Sequence, residues 1–357
     1  MRKMQNPSGM RDLRDQDVLK TRRLQRELQG LFDKYSYEEI MTPAFEYADT
    51  YHQTLSGLED SEMYEIPDAN GDLLALRVDM TVPIARAAAR KYKDLERPLR
   101  LQYASNVYKV KASFAGKRSE VMDCGIERIG GGTGADLEVL AIALEVLDRL
   151  PLDSVLEIGS ARVFEAALAG VPAAAELADL IDRKEMPALA DRLAGLDLPQ
   201  AQKDFLYSLP LFSGDEAVLQ AARAMAFSPA LEEAIRELQL LNEQLLALTD
   251  ARRLRYDLGK MPHLNYYTGV IFEAYTAGVG TAVLSGGRYD GLLSAFGLQA
   301  PAIGFSVKLD YLLEALPDVE KEPAETIVYT PDTLIDALQS AREAEGPVLL
   351  VSMEENV

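Results

Sequence analysis

Near the start of the chain, apolar and polar residues follow a helical period. A segment rich in turn-forming residues at 7–12 precedes the pattern, and a helix is predicted to begin near Asp15. The apolar residues that share one face of this helix are Leu24, Leu28, Leu31, Phe32 and Tyr35. The next segment, 40–46, favours a strand that ends at Pro43, because the residue before a proline is biased toward extended backbone.

A second helical face lies further along the chain. Asp136 is predicted to cap its N-terminus, and Pro151 lies just beyond its end. The residues on its apolar face are Leu137, Leu140, Ala141, Leu144 and Leu147. The stretch from about 160 to 255 is rich in Ala, Leu and Glu and poor in β-branched residues. It is therefore predicted to be a helical insertion in a larger domain.

Strand character returns toward the end of the chain, at 270–275 and within 302–312. After Pro317, two short strand-like segments flank a helical pattern near 334–344, which predicts a β-α-β fragment. Roughly forty residues are too few for a robust independent domain. The predicted organisation is a core over residues 1–318 and a small C-terminal fragment over 319–357.

Composition narrows the class of protein. The chain has 357 residues, of which 48% are hydrophobic, so it can bury a large core. Its formal net charge is -20, from 57 acidic and 37 basic residues, which disfavours a nucleic-acid partner. No apolar run is long enough to span a bilayer, and the first residues lack the apolar stretch of a secretion signal. We therefore expect a cytoplasmic protein with no membrane association.

Cysteine and histidine usage bears on metals and redox chemistry. Cys124 is the single cysteine, which excludes an intramolecular disulfide, fits a reducing compartment and predicts a small buried residue. His52 and His263 are far apart and have no cysteine at ligand spacing, so no structural zinc site is expected. We expect no resident metal or cofactor, although a bound nucleotide would bring magnesium.

Four ordered segments carry the candidate chemistry. They are 76–86, then 103–109 with 116–127, then 261–273 and 304–306, and the third contains the run Asn-Tyr-Tyr-Thr-Gly. Their order and spacing resemble histidyl-tRNA synthetases, which are class II aminoacyl-tRNA synthetases, over about residues 6 to 316. The resemblance implies an α+β fold with a class II synthetase-like antiparallel sheet flanked by helices. The helix and strand before Pro43 resemble the first class II motif, which builds the dimer interface in that family.

The resemblance also identifies what has been lost. Lys109, Pro262 and Tyr311 stand where active members of the family have arginines that hold the ATP phosphates and the substrate carboxylate. Lysine is a point charge without the planar fork of a guanidinium, and proline has neither charge nor backbone N–H. Losing one preorganised donor typically costs about 3 kcal/mol of transition-state stabilisation. We therefore expect no catalytic residues and no adenylation.

The amino-acid pocket of the family is better retained. Its residues imply a histidine-like ligand, since carboxylates suit an ammonium and an imidazole. By the resemblance, Asp79 and Thr81 hold the α-amino group, with Asp123 in place of a glutamine that assists them. Glu127 faces the imidazole, and the pair Tyr266 and Tyr267 supplies a ring contact. The alternative is that the three carboxylates are solvated or structural.

Glycine-rich stretches contribute less. The run at 130–134 lacks the lysine of a phosphate-binding P-loop, and 278–280 has no third glycine at dinucleotide spacing, so both are predicted to be turns. The segment 285–291 also occurs in the resemblance, where it closes the pocket. Its Arg288 is a cation retained near the former nucleotide site.

A synthetase-like core without catalytic arginines, and without a full anticodon-binding domain, resembles the regulatory subunits of ATP phosphoribosyltransferase. That resemblance implies a short-form catalytic subunit as partner and a homodimer through the class II core within a larger hetero-oligomer. It also implies histidine as effector in the first step of histidine biosynthesis. Two alternatives remain open, a divergent histidine-activating ligase and a scaffold that binds no ligand.

Overall fold

A computed structural model describes residues 4–55, 60–92, 98–110, 118–132, 134–261, 266–321 and 323–353. The chain divides into two compact units, Met1–Leu316 and Pro317–Val357. Within the described residues, no helix combines the length and apolarity needed to cross a bilayer.

Helices and strands of the first unit alternate irregularly along the chain. The helices are α1 (Gln16–Lys34), α2 (Ala48–Thr54), α3 (Thr81–Lys91), α4 (Ala135–Arg149), α5 (Ala161–Leu168), α6 (Ala174–Asp182), α7 (Met186–Ala194), α8 (Gln200–Ser208), α9 (Ala217–Ala224), α10 (Pro229–Leu246) and α11 (Leu309–Leu312). The strands are β1 (Glu38–Glu39), β2 (Phe45–Tyr47), β3 (Glu65–Pro67), β4 (Leu73–Leu76), β5 (Leu99–Tyr108), β6 (Glu120–Ile129), β7 (Ser154–Ser160), β8 (Ser213–Gly214), β9 (Leu254–Asp257), β10 (Val270–Thr276), β11 (Leu284–Arg288) and β12 (Ala302–Lys308).

Nine strands form the main sheet, in the order β1-β5-β6-β12-β11-β10-β7-β9-β8. The strands from β5 to β7 pair in antiparallel fashion, whereas β1 with β5 and β7 with β9 are parallel. The predicted α+β architecture is therefore observed, with a largely antiparallel sheet. Helices α5 to α10 lie between β7 and β9 along the chain, with the two-residue strand β8 between α8 and α9.

The two faces of the main sheet differ in chemistry because side chains alternate along each strand. On β6, Cys124 and Ile126 are fully buried in the core that also contains Leu28 and Leu31 of α1. The burial of Cys124 confirms its prediction. Asp123 and Glu127 point to the opposite face, which carries the cavity described below.

Two local predictions are wrong. The strand expected to end at Pro43 ends at Glu39, because the Arg77 guanidinium binds the carbonyl oxygens of Thr42 and Pro43 and holds that segment in an irregular conformation. Asp136 is not an N-cap. Helix α4 begins at Ala135, and the N-cap is Gly134 in the left-handed region, at φ 98°.

A separate three-stranded antiparallel sheet has the order β2-β4-β3. Its register places Phe45, Tyr47 and Ile66 on one face, and these side chains are 40%, 57% and 47% exposed. This face is an apolar patch on the described surface.

The second unit is a β-α-β element, formed by β13 (Glu325–Tyr329), α12 (Leu334–Glu343) and β14 (Val348–Ser352). The two strands pair in parallel, as a helical crossover requires.

Candidate ligand-binding site

A cavity of about 1010 Å³ lies over the polar face of the main sheet. Its floor is made of small residues on the two central strands β11 and β12. These residues are Ser285, Gly287, Gly304 and Ser306. Because they have short side chains or none, the floor is deep and the longer side chains around it form the walls.

Asp79 stands on one wall, two residues before α3. Its Oδ1 accepts a hydrogen bond from the Val82 N–H at 3.3 Å, which fixes the carboxylate at the start of that helix. Its Oδ2 is buried, and no donor among the described residues reaches it. Burial raises the pKa of the Asp79 carboxyl to about 6, against the opposing effect of Lys109.

Asp123 on β6 resembles Asp79 in its hydrogen bonding, since only one of its two carboxylate oxygens has a donor among the described residues. Ser306 donates to its Oδ2 at 3.1 Å, while the buried Oδ1 meets no donor within the described part of the chain. Burial raises the pKa of Asp123 to about 6, although the nearby charges of Lys308 and Lys109 oppose the rise. At one cavity, two buried carboxylate oxygens thus lack donors among the described residues.

Glu127 lies two positions beyond Gly125 on the same face of β6 and is 1% exposed. Thr81 donates to its Oε1 at 2.8 Å, and the Tyr289 hydroxyl donates to its Oε2. Burial raises the pKa of Glu127 to about 8, and these two hydrogen bonds oppose the rise. Its carboxylate packs on Gly304, where a Cβ would overlap Glu127 Oε2.

Three tyrosine rings stand together beside Glu127. The centroid of Tyr266 lies 4.8 Å from that of Tyr267 and 5.8 Å from that of Tyr289. Tyr267 packs over Gly287, where a Cβ would come within 2.7 Å of the ring. The rings form an aromatic wall that suits a flat heterocycle.

Two of the three positions at which the resemblance implies arginines lie among the described residues. Lys109, just after β5, and Tyr311, in α11, both line the cavity. Pro262 lies outside the described residues. Arg288 binds Asp136 and Asp290 instead of lining the cavity, so it ties β11 to the start of α4.

A second polar cluster borders the cavity at β10. Lys260 donates to Glu157 at 2.7 Å, to Glu273 at 2.5 Å and to the Tyr275 hydroxyl at 3.1 Å. Burial works against the charge of Lys260, but the two glutamates outweigh it and raise its pKa. All three ammonium donors are therefore engaged within the protein.

The structure brings Asp79, Thr81, Asp123, Tyr266 and Tyr267 around one cavity. Glu127 does not line it but lies behind Thr81 and Tyr289, which both donate to its carboxylate. Sequence analysis missed Tyr289, Lys308 and Lys260, which belong to the same walls. Tyr289 lies in the predicted pocket-closing segment 285–291, where it was a visible candidate. Lys308 and Lys260 had no local signal, because their partners are distant in sequence.

Comparisons with known proteins agree with the motifs. The family model described as "Histidyl-tRNA synthetase" matches residues 9–312. An ATP phosphoribosyltransferase regulatory subunit from Moorella thermoacetica is 35% identical over 318 residues, covering 87% of this chain and 82% of that protein. The protein of that description from Bacillus subtilis is 33% identical over 359 residues, covering 99% and 89%.

A solved structure extends the agreement to the fold. It is described as an ATP phosphoribosyltransferase regulatory subunit/histidyl-tRNA synthetase from Bacillus halodurans. It superposes with a TM-score of 0.88 at 32% identity, covering 99% of this chain and 93% of that one. The class II synthetase-like fold and the predicted family are thereby confirmed. The chain belongs to the ATP phosphoribosyltransferase regulatory subunits, a family that shares the core of histidyl-tRNA synthetases.

Proposed function

We propose that this protein binds L-histidine in the cavity and regulates a short-form ATP phosphoribosyltransferase without catalysing a reaction itself. One observation carries the ligand assignment. Asp79 Oδ2 and Asp123 Oδ1 are buried acceptors without donors among the described residues, and both belong to residues that line the cavity. A buried acceptor that is left unpaired costs free energy. A ligand that donates hydrogen bonds to these two oxygens therefore binds more tightly.

An α-ammonium group fits these two oxygens. It has three donors and a positive charge, and charge-assisted hydrogen bonds to carboxylates are among the stronger ones. The raised pKa values of about 6 leave both aspartates largely ionised at pH 7.5. The same values imply that binding weakens as the pH falls below 6 and the carboxylates become protonated.

The imidazole of histidine suits the other end of the site. Thr81 and Tyr289 line this end of the cavity and both donate to Glu127 behind them, so polar groups face the position of the ring. The aromatic wall of Tyr266 and Tyr267 offers a stacking surface for the ring. An aliphatic side chain would leave this polar end unmatched.

The former nucleotide end supports a non-catalytic role. Lys109 and Tyr311 replace arginines of the family, so the cavity offers neither of those two planar guanidinium clamps for a triphosphate. The subunit would then act through binding alone. Feedback by histidine requires that it bind two states of the complex with different affinities.

Assembly is supported by the exposed apolar face of the small sheet. The small sheet follows the helix and strand that resemble the first class II motif, and its face with Phe45, Tyr47 and Ile66 is exposed, so we propose that two copies pair through this face. The catalytic subunits would complete a hetero-oligomer in the cytoplasm. The net charge of -20 argues against nucleic acid as a partner.

Reconstitution tests the proposed function. Mixing this protein with the short ATP phosphoribosyltransferase subunit of the same organism is expected to raise the rate of phosphoribosyl-ATP formation, and histidine is expected to suppress the increase. The rate is measured with and without histidine, and co-elution is followed by size-exclusion chromatography. The absence of both a rate change and co-elution would contradict the proposal. Histidine-dependent pyrophosphate exchange would then favour the ligase, and its absence the scaffold.

Restoring two arginines tests the loss of catalysis. The double variant Lys109→Arg, Tyr311→Arg is expected to show no histidine-dependent pyrophosphate exchange, because Pro262 still lacks the third guanidinium. An active histidyl-tRNA synthetase serves as the positive control for the assay. Exchange above background in the double variant would contradict the expectation.

A further inference from the structure

We propose that the buried guanidinium of Arg128, together with the glycine-rich loop that leads into α4, binds a phosphate group. The site lies on the face of the main sheet opposite to the cavity. Arg128 follows Cys124 and Ile126 at even spacing on β6, and those two residues are buried in the core on that face. The inference is therefore independent of the proposed histidine ligand. The sequence predicted only a turn at this loop.

Strand register brings the side chains of Arg128 and Arg100 together. The two arginines are direct partners on the antiparallel strands β6 and β5, so both side chains leave the same face of the sheet. Glu138 of α4 lies over the pair and accepts hydrogen bonds from Arg100 at both of its carboxylate oxygens, at 2.9 and 3.0 Å. Among these three groups, one carboxylate faces two guanidinium groups, so one positive charge is left over.

Arg128 lacks the hydrogen bonds that its burial requires. The residue is 8% exposed, and neither Nε nor Nη1 has a hydrogen-bond acceptor among the described residues. Its Nε lies 3.2 Å from Glu138 Oε2, but the two atoms are not aligned for a hydrogen bond. A buried charged donor without an acceptor costs free energy. An anion that accepts hydrogen bonds from this guanidinium therefore binds more tightly.

The loop beside the guanidinium leaves space on that side. A Cβ on Gly131 would lie 3.1 Å from Arg128 Nη2 and 3.3 Å from Nη1, so both amino groups lie against the main chain of the loop. Gly131 and Gly132 are exposed, which opens the loop to solvent. A ligand can thus reach the guanidinium edge that Glu138 does not cover.

Helix α4 adds a positive end to the same place. The helix is 15 residues long, and its N-cap Gly134 has no side chain to accept from the first N–H groups. Such N–H groups and the helix dipole favour an anion. Asp136 in the first turn is held by Arg288 rather than by Arg128. A phosphate has enough acceptor oxygens to bind a guanidinium and main-chain N–H groups at once.

Titration with inorganic phosphate tests the site. Isothermal titration calorimetry is carried out at constant ionic strength, with chloride as the replaced anion. Arg128→Gln is expected to weaken phosphate binding about 10- to 100-fold, the size of a hydrogen bond to a charged group. This variant should fold, because it removes a like charge directly opposite Arg100. Ribose 5-phosphate is titrated in parallel. Binding of either ligand through Arg128 supports the site, and the tighter one identifies a free anion or a phosphorylated metabolite as the source.

Two further comparisons locate the bound phosphate. Lys109→Met removes a cation of the cavity and should leave phosphate affinity unchanged. Gly131→Ala places a methyl group against the guanidinium and should weaken binding, although its positive φ of 97° also strains the loop. Gly132→Ala is its matched control, since a Cβ there meets no described atom within 4 Å.

Three outcomes would overturn the site. The first is a wild-type protein that shows no saturable phosphate binding. The second is loss of phosphate binding in Lys109→Met but not in Arg128→Gln, which would assign the anion to the cavity. If Arg128→Gln does not fold, the third is equal phosphate affinity in Gly131→Ala and Gly132→Ala. Each of these results leaves the proposed histidine site intact.

Discussion

Replacing Asp79 with asparagine is expected to weaken histidine binding by a factor of roughly 30 or more and, at pH 7.5, to make the unliganded protein more stable. Asparagine has nearly the same shape, and its carbonyl oxygen can still accept the Val82 N–H bond. The change removes the negative charge that would meet the ligand ammonium. Truncating one partner of a buried charge pair costs about 2–5 kcal/mol, or a factor of roughly 30 or more in affinity.

The gain in stability follows from the sign of the pKa shift. The pKa of Asp79 is about 6 in the folded protein, above the ordinary value of 3.8, so folding favours the protonated form. The contribution of this carboxyl to stability is therefore complete below pH 4 and is lost as the pH rises through 6. The loss amounts to up to about 3 kcal/mol at neutral pH. Asparagine avoids it, and the advantage of the variant should shrink as the pH falls toward 4.

Calorimetric titration with histidine and urea unfolding at pH 5 and pH 7.5 measure the two effects. Asp49→Asn provides a matched control, because the Asp49 side chain is 87% exposed and should change neither quantity. Unchanged histidine affinity in Asp79→Asn would contradict the assignment of the pocket. Lower stability at pH 7.5 would show that the carboxylate is satisfied in the free protein.

The sequence predicts which residues form the site better than it predicts the contacts between them. Asp123 and Glu127 are four residues apart on one strand, and the strand period of two puts both on the same face. Tyr289 completes that face through a hydrogen bond to Glu127 across 162 residues of sequence. No local pattern reports such a pair, because it depends on which strands become neighbours in the sheet.

The wrong predictions share that cause. Asp136 has the side chain of a good N-cap, yet Arg288 on β11 binds it and the glycine before the helix takes the cap position. Pro43 suggests the end of a strand, yet Arg77 binds the carbonyl oxygens there and the strand ends earlier. In both places a guanidinium from a distant residue overrides a local preference. The roles of the cavity residues in binding stay predictions until ligand titrations test them.

Replacing Gly304 with alanine is expected both to destabilise the fold and to weaken the site. A Cβ at this position would overlap Glu127 Oε2 and the carbonyl oxygen of Ile126. The carbonyl belongs to the neighbouring strand and cannot move without distorting the sheet. We expect a loss of about 2–3 kcal/mol in the free energy of unfolding, the cost of an overpacked core. Glu127 would also be displaced, which should weaken histidine binding at least about tenfold.

Gly280→Ala is the matched control for this variant. Gly280 lines the same cavity, but a Cβ there meets no described atom within 4 Å and its backbone is not in the left-handed region. Urea unfolding and histidine titration of both variants should therefore separate steric overlap from the mere addition of a methyl group to the cavity wall. If Gly304→Ala binds histidine as tightly as Gly280→Ala, then Glu127 does not hold the ligand. If Gly304→Ala is also as stable as Gly280→Ala, then β12 does not pack closely against β6 at this position.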